Sequence, residues 1–161
     1  MYLLDANVLI FAKRDYYPLD RVPEYWEWLL HQAEQEVLKL PYEIWRELQE
    51  HDDDLQRWVR DHQDILVLKE DGLDIHVPNV LACYGANITE AGLEQIGADP
   101  FLIAAAKSLS AIVVSKEVSA PAKQGVNRRV PDICASMGVR CITDHVMIRE
   151  LDFRTNWKAR A

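Results

Sequence analysis

Short apolar runs recur along the chain, and each is closed by a polar residue or by proline. Runs of this length that are mostly apolar are typical of strands buried on both faces, as in a parallel sheet. The runs are Tyr2–Leu4, Val37–Leu40, Ile65–Leu68, Ala111–Val114 and Val139–Ile142. Because the third run fits the end of a helix equally well, the pattern predicts four to five strands.

Segments with helical spacing of apolar positions separate these runs. The clearest begins near Pro23 and carries Trp26, Leu29, Leu30 and Ala33. Others are expected after Pro41, at Thr89–Ile96, at Phe101–Leu109, from Pro131 to Gly138 and at His145–Leu151. Such alternation implies a parallel sheet with helices on both faces. The prediction is therefore one α/β domain over residues 1–161, with three α/β/α layers and a flexible tail at 153–161.

The formal net charge of -8 disfavours broad, non-specific binding to phosphate backbones, which needs a basic surface. It leaves a nuclease open, because clustered carboxylates can hold divalent cations that then meet the phosphate. The basic loop residues Lys123, Arg128 and Arg129 could contact such a backbone, although a run of this kind is more often only solvated.

The rest of the composition points to the cytoplasm. Cys83, Cys134 and Cys141 form no Cys-x-x-Cys pair, so reduced thiols are the simplest account. Lys13 and Arg14 follow the first apolar run, which is the wrong order for a signal peptide. No apolar run approaches the length that spans a bilayer, so we expect no membrane contact.

Acidic residues lie near several predicted strand ends. Each has an ordinary explanation when taken alone: Asp5 and Asp99 could cap helices, and Glu43 and Glu47 could be surface acids sharing one helix face. In a parallel sheet, however, the carboxyl ends of the strands share one edge, where ligands bind. One acidic, cation-binding pocket accounts for four placements at once, namely those of Asp5, Glu47, Asp99 and Glu117.

Four motifs in this pattern resemble the PIN-domain family, which comprises metal-dependent ribonucleases, many of them toxins of prokaryotic toxin–antitoxin pairs. The motifs are Leu3-Leu4-Asp5-Ala6-Asn7-Val8, Glu47-Leu48, Ala98-Asp99-Pro100-Phe101-Leu102-Ile103-Ala104-Ala105-Ala106 and Val113-Val114-Ser115-Lys116-Glu117. Two further segments, Trp26-Glu27-Trp28-Leu29 and Val130-Pro131-Asp132-Ile133-Cys134, look like a longer, less characterised branch of that family. Many members have an Asp where this chain has Ser115-Lys116-Glu117.

The resemblance implies a PIN-like fold and an endoribonuclease that cuts single-stranded or structured RNA with one or two Mg²⁺ or Mn²⁺ ions. Oxygen ligands without Cys or His suit those ions. The implied catalytic acids and metal ligands are Asp5, Glu47, Asp99 and Glu117, with Glu43 a rival for Glu47 and Asp132 replacing or joining Glu117. Asn7 and Ser115 would orient waters or carboxylates, and Lys116, Arg128 and Arg129 would contact RNA. The implied partners are an antitoxin protein and a second copy in a homodimer.

Two other functions fit parts of the pattern. A haloacid-dehalogenase-like phosphatase also begins with an Asp at a strand end, but it needs a second Asp two residues later, where this chain has Asn7. A non-catalytic acidic α/β module would bind a protein partner and no divalent metal. Metal dependence separates the latter from the nuclease.

Overall fold

The computed structural model describes residues 1–50, 52–69 and 72–159, which form an α/β fold with a central parallel sheet flanked by helices. The predicted three-layer α/β/α class is confirmed. The strands are β1 (Tyr2–Leu4), β2 (Leu38–Lys39), β3 (Ile112–Val114) and β4 (Cys141–Ile142). The α-helices are α1 (Ala6–Phe11), α2 (Pro23–Glu34), α3 (Tyr42–Leu48), α4 (Asp54–Asp61), α5 (Gln63–Leu66), α6 (Val77–Tyr84), α7 (Glu90–Ile96), α8 (Asp99–Leu109), α9 (Val130–Met137) and α10 (Asp144–Glu150).

The sheet has the strand order β2-β1-β3-β4, and every pairing is parallel. The first strand is therefore central, with Leu3 beside Lys39 on one side and Val113 on the other. Leu3, Leu4 and Val114 are almost fully buried, as expected for apolar strands covered on both faces. All four strands end at the same edge, and this places the residues that follow them side by side.

The apolar run Ile65–Leu68 forms no full strand. Its first half ends α5, and only Val67 bridges to Leu40 beside β2. The sheet thus has four strands, the lower number expected. The stretch from 72 to 87 gave no periodic pattern, yet it contains α6 and a short 3-10 helix at Leu73–His76.

The C-terminal segment packs against α2 instead of forming the expected flexible tail at 153–161. The ring of Phe153 lies 4.8 Å from that of Trp28. The indole N–H of Trp157 donates to the carbonyl of Glu24 at 3.0 Å, and its ring stacks on His31. The free energy gained by burying these aromatic rings exceeds the conformational entropy that a short flexible tail would keep. The last two expected tail residues, 160 and 161, lie outside the described residues.

None of the helices within the described ranges combines the length and apolar character needed to span a membrane.

Candidate metal centre

Four acidic side chains from different elements meet at the carboxyl edge of the sheet. Asp5 follows β1, Glu117 follows β3, Glu47 lies on α3 behind β2, and Asp99 opens α8. Negative charge on Glu47 and Glu117 raises the pKa of Asp5, and all three raise the pKa of Asp99. The structure therefore brings together the four acids that the sequence placed near strand ends.

Asp5 is held rigidly in the interior, with 5% of its surface exposed. Its Oδ2 accepts from the Ser115 hydroxyl at 2.7 Å and from the Asn7 side-chain amide at 2.6 Å. Burial raises the pKa of Asp5 to about 6, although the hydrogen bonds from Ser115 and Asn7 oppose that shift. Its Oδ1 also accepts a long hydrogen bond of 3.5 Å from the Asn7 backbone, so Asp5 caps α1 as well as facing the site.

Asp99 does not cap α8, contrary to one expectation from the sequence. The helix already begins at Asp99, the cap position belongs to Ala98, and no side chain supplies a capping hydrogen bond there. Burial, followed by the charges of Asp5, Glu117 and Glu47, raises the pKa of Asp99 to about 8. Its side chain has no hydrogen-bond or ion-pair partner among the described residues, so this carboxyl keeps its proton at neutral pH unless a cation takes the place of that proton.

Asn7 and Ser115 form a polar frame under the acids. The Ser115 hydroxyl accepts from the Asn7 amide at 3.2 Å and from the Glu117 backbone N–H at 3.1 Å. The Asn7 carbonyl oxygen accepts from the Lys116 backbone N–H at 2.8 Å. These hydrogen bonds connect the loop after β3 with the start of α1, so the position of Glu117 relative to Asp5 is fixed.

Glu117 and Asp132, the two rivals for the fourth position, lie in different surroundings. Glu117 accepts from Arg129 Nη1 at 2.8 Å and from the Val130 backbone N–H at 2.7 Å. Asp132 instead accepts from the Ser119 hydroxyl at 2.5 Å and from the Ala120 backbone N–H at 2.8 Å. Those two hydrogen bonds hold the pKa of Asp132 below its usual range. Of these two acids, Glu117 raises the pKa of Asp5 and Asp99 and Asp132 does not. Asp132 therefore lies apart from the cluster and stabilises the loop that follows β3.

Glu43 and Glu47 share one wall of a groove between α3 and the start of α8, with a volume of about 650 Å³. Glu43 Oε2 lies 2.6 Å from Arg46 Nη2, one turn along the same helix, an ion pair that lacks hydrogen-bond alignment. Glu47 is the residue whose charge reaches Asp5 and Asp99. The two glutamates therefore differ, because Glu47 acts on the acid cluster and Glu43 pairs with Arg46.

The cations predicted to contact RNA are mostly engaged within the protein. Lys116 Nζ lies 3.1 Å from Asp144 Oδ1, and Arg129 binds Glu117. The Arg128 guanidinium donates to the Cys83 and Asp132 carbonyls and to the Ser136 hydroxyl. A groove of about 640 Å³ begins beside Glu117; its other lining residues are Asn7, Phe11, Lys116, Val118, Ser119, Ala120, Lys123 and Arg129.

Asp144 is a fifth acid at this edge that the sequence analysis did not single out. It follows β4 after one spacer, is 1% exposed and is neutralised by Lys116. Its position could have been found by the rule that found Asp5, because it also stands just past a strand end.

The donor chemistry at the four acids fits Mg²⁺ or Mn²⁺, since every candidate ligand is a carboxylate oxygen. Within residues 1–50, 52–69 and 72–159, no group of three or more His, Cys, Asp or Glu side chains is arranged to hold a metal ion as placed. Coordination by all four acids would therefore require side-chain rotation or intervening waters.

Comparison with known proteins gives a family without an assigned activity. No curated protein matches the chain. A crystal structure of PAE2754 from Pyrobaculum aerophilum is similar at 18% identity, covering 94% of this chain and 96% of that one, with a TM-score of 0.45. The family model described as "Domain of unknown function (DUF4411)" matches residues 2–155. The chain therefore belongs to the DUF4411 family.

Proposed function

We propose that this protein is a divalent-metal-dependent endoribonuclease whose site is the acid cluster Asp5, Glu47, Asp99 and Glu117. One observation carries the proposal: the sheet topology places four carboxylates from different elements at one edge, where burial and mutual repulsion raise the pKa of Asp5 to about 6 and that of Asp99 to about 8. Acids that only stabilise a fold are usually paired with cations or hydrogen-bond donors, which lower their pKa. Strongly shifted acids in a cluster are typical of functional sites.

The cluster suits a cation because one ion would relieve all of its repulsion. Asp5 and Asp99 would bind Mg²⁺ or Mn²⁺ directly, and Glu47 and Glu117 directly or through water. When bound, such an ion activates a water molecule and neutralises charge on the scissile phosphate. Ser115 and Asn7 keep Asp5 in one orientation, as partners of metal ligands commonly do. Asp99 would bind the ion in its ionised form, without the proton that it holds in the absence of metal.

The substrate strand would lie in the groove beside Glu117. Lys123 lines this groove and supplies positive charge for phosphates, and Phe11 and Val118 supply apolar surface for bases. Arg129 also lines the groove, paired with Glu117. The groove on the other side of the cluster carries Glu43, Glu50 and Glu94 in addition to the site acids, and these repel a polyanion. The antitoxin partner and the homodimer stay predictions from the resemblance.

A dehalogenase-like phosphatase is the weaker candidate. That reaction needs a second carboxylate two residues after the first, but this position holds Asn7, whose side-chain amide donates to Asp5 Oδ2. An amide in that position can neither ionise nor protonate a leaving group.

The test is cleavage of single-stranded RNA in Mn²⁺ or Mg²⁺ by the wild type, by Asp99→Asn and by the exposed control Asp20→Asn. We expect metal-dependent cleavage by the wild type and the control, abolished by EDTA, and no cleavage by folded Asp99→Asn. Cleavage at the wild-type rate by folded Asp99→Asn would show that the catalytic assignment is wrong. A wild type that neither cleaves RNA nor binds Mn²⁺ would favour the non-catalytic acidic module.

A further inference from the structure

Tyr84, the last residue of α6, carries a hydroxyl that the fold does not satisfy. The residue is 3% exposed. Its hydroxyl is buried and has no hydrogen-bond partner among the residues that the structure describes. Buried polar groups are almost always paired, so a lone buried hydroxyl calls for an explanation. The sequence analysis did not point to this residue, since Tyr84 lies in the stretch without a periodic pattern.

The surroundings of Tyr84 fix its position against the acid cluster. Its helix packs on α8, which Asp99 opens, and on α9. The carbonyl of the preceding residue, Cys83, accepts from Arg128 Nη1 at 2.7 Å. Gly125 has φ +56, and a Cβ there would meet the Tyr84 carbonyl at 3.8 Å. The hydrogen bond from Arg128 therefore anchors the end of α6, and the Tyr84 ring is buried beside it.

Asp99 and Glu117 lie within electrostatic range of this hydroxyl. After burial, the charges of Asp99 and Glu117 are the largest influences on its pKa, and both raise it. The phenol is therefore a neutral O–H donor at all physiological pH values. A neutral donor beside two carboxylates can hydrogen-bond either of them once it turns toward the cluster.

Tyr25 supplies a comparison within the same molecule. It too is fully buried with an unpartnered hydroxyl among the described residues. Its ring, however, stacks on Tyr17 at 4.2 Å in the aromatic group under α2, and the acid that raises its pKa is Asp144. Both hydroxyls are buried and lack a hydrogen-bond partner among the described residues. They differ in the acids that act on them, which are Asp99 and Glu117 for Tyr84 and Asp144 for Tyr25.

We propose that Tyr84 is a positioning residue of the acid cluster, whose hydroxyl donates to the carboxylate of Asp99 or Glu117 in the arrangement that binds a divalent cation. The inference rests on the proposed function and adds a residue that belongs to none of the recognised motifs. Hydrogen-bond partners of metal ligands typically change metal affinity about 10–100-fold when removed. The Tyr84 hydroxyl gains a hydrogen bond only when the ion binds, and this gain stabilises the metal-bound state.

The experiment compares Tyr84→Phe with Tyr25→Phe, each of which removes a single oxygen from a buried ring. Mn²⁺ affinity is measured by isothermal titration calorimetry, and melting temperature in EDTA by circular dichroism. We expect Tyr84→Phe to melt at or above the wild-type temperature in EDTA and to bind Mn²⁺ about tenfold or more weakly. Tyr25→Phe should bind Mn²⁺ as the wild type does.

Equal Mn²⁺ affinity in Tyr84→Phe and the wild type would overturn the role of Tyr84 while the proposed nuclease stands. Equal weakening by both substitutions would also overturn it, because the effect would then come from the core and not from the site. A wild type that binds no Mn²⁺ would overturn this inference. If that wild type still cleaved RNA in Mg²⁺, the proposed nuclease would stand, and if it cleaved no RNA the proposed function would fall as well.

Discussion

The side-chain amide of Asn7 donates to Oδ2 of Asp5 across 2.6 Å. The same Asn7 accepts from the Lys116 backbone through its carbonyl oxygen, so one side chain links the end of β1 to the loop after β3. The orientation of Asp5 therefore depends on a neutral neighbour that can both donate and accept.

Asn7→Ala removes three side-chain hydrogen bonds and leaves the Lys116 N–H, the Ser115 hydroxyl and one oxygen of Asp5 with fewer partners. We expect a loss of about 1–3 kcal/mol in the free energy of unfolding, measured by urea denaturation. Cleavage should fall about 10–100-fold, because a ligand loses its orienting partner. Asn79→Ala, at an exposed position on α6, is the control and should change neither. An unchanged cleavage rate in Asn7→Ala would remove Asn7 from the site.

The raised pKa of Asp99 leads us to expect that the stability of the fold depends on pH. Its pKa is about 8 in the folded protein and about 4 in the unfolded chain. Between those values the folded state holds a proton that the unfolded state has lost. In EDTA, stability should therefore fall as pH rises through this window.

Asp99→Asn should lose most of the slope between pH 6 and 8 and melt above the wild type at pH 8, since no helix cap is sacrificed. In the wild type, Mn²⁺ at a hundredfold excess over its dissociation constant should add about 2.7 kcal/mol, and in the variant much less. Melting temperatures across pH, with and without Mn²⁺, measure both effects. A wild type insensitive to Mn²⁺, together with a less stable variant in EDTA, would mean that Asp99 serves the fold alone.

Glu47→Gln should reduce cleavage and Mn²⁺ affinity more than Glu43→Gln. Glu47 acts electrostatically on Asp5 and Asp99, whereas Glu43 pairs with Arg46 on its own helix. The two variants carry the same chemical change one turn apart, so each controls for the other in a single cleavage and calorimetry series. A larger loss from Glu43→Gln would move the ligand to that position.

Lys116→Met leaves the buried carboxylate of Asp144 without its cation. The side chains of Lys116 and Asp144 are 14% and 2% exposed, so the uncompensated charge should cost about 3–5 kcal/mol in urea denaturation. Asp152→Asn breaks an exposed pair with Arg154 and should cost less than about 1 kcal/mol. If Lys116→Met cost no more than the control Asp152→Asn, water would have to reach the carboxylate of Asp144.

The apolar runs were sufficient to predict the sheet, because buried parallel strands leave that pattern directly. Helix α6 was not predicted, because Gly72, Pro78 and Gly85 interrupt that stretch and residues of these types often break helices. In the structure Pro78 lies in the first turn of α6, where its missing N–H costs nothing, and Gly85 follows the helix end with φ 137. These residues therefore mark the bounds of the helix and do not exclude it.

Strand ends indicated which acids meet, since that depends on topology. Contacts between distant side chains were not predictable in the same way. The pairing of Lys116 with Asp144, the packing of Trp157 on α2 and the unpartnered hydroxyl of Tyr84 depend on tertiary packing, which leaves no periodic trace in one sequence. The cap expected at Asp99 failed for a local reason, because Ala98 takes the cap position.

The central position of β1 bears on when the site can form during synthesis. Its two neighbours in the sheet begin at Leu38 and Ile112, so the first strand made must wait for most of the chain before β3 can pair with it. The hydroxyl that fixes Asp5 comes from Ser115, and the groups that fix Glu117 come from Arg129 and Val130. Because a ribosome adds roughly 5–20 residues per second, a nascent chain spends several seconds with Asp5 made and its partners absent. Incomplete chains that stop before Ser115 therefore lack the assembled acid cluster.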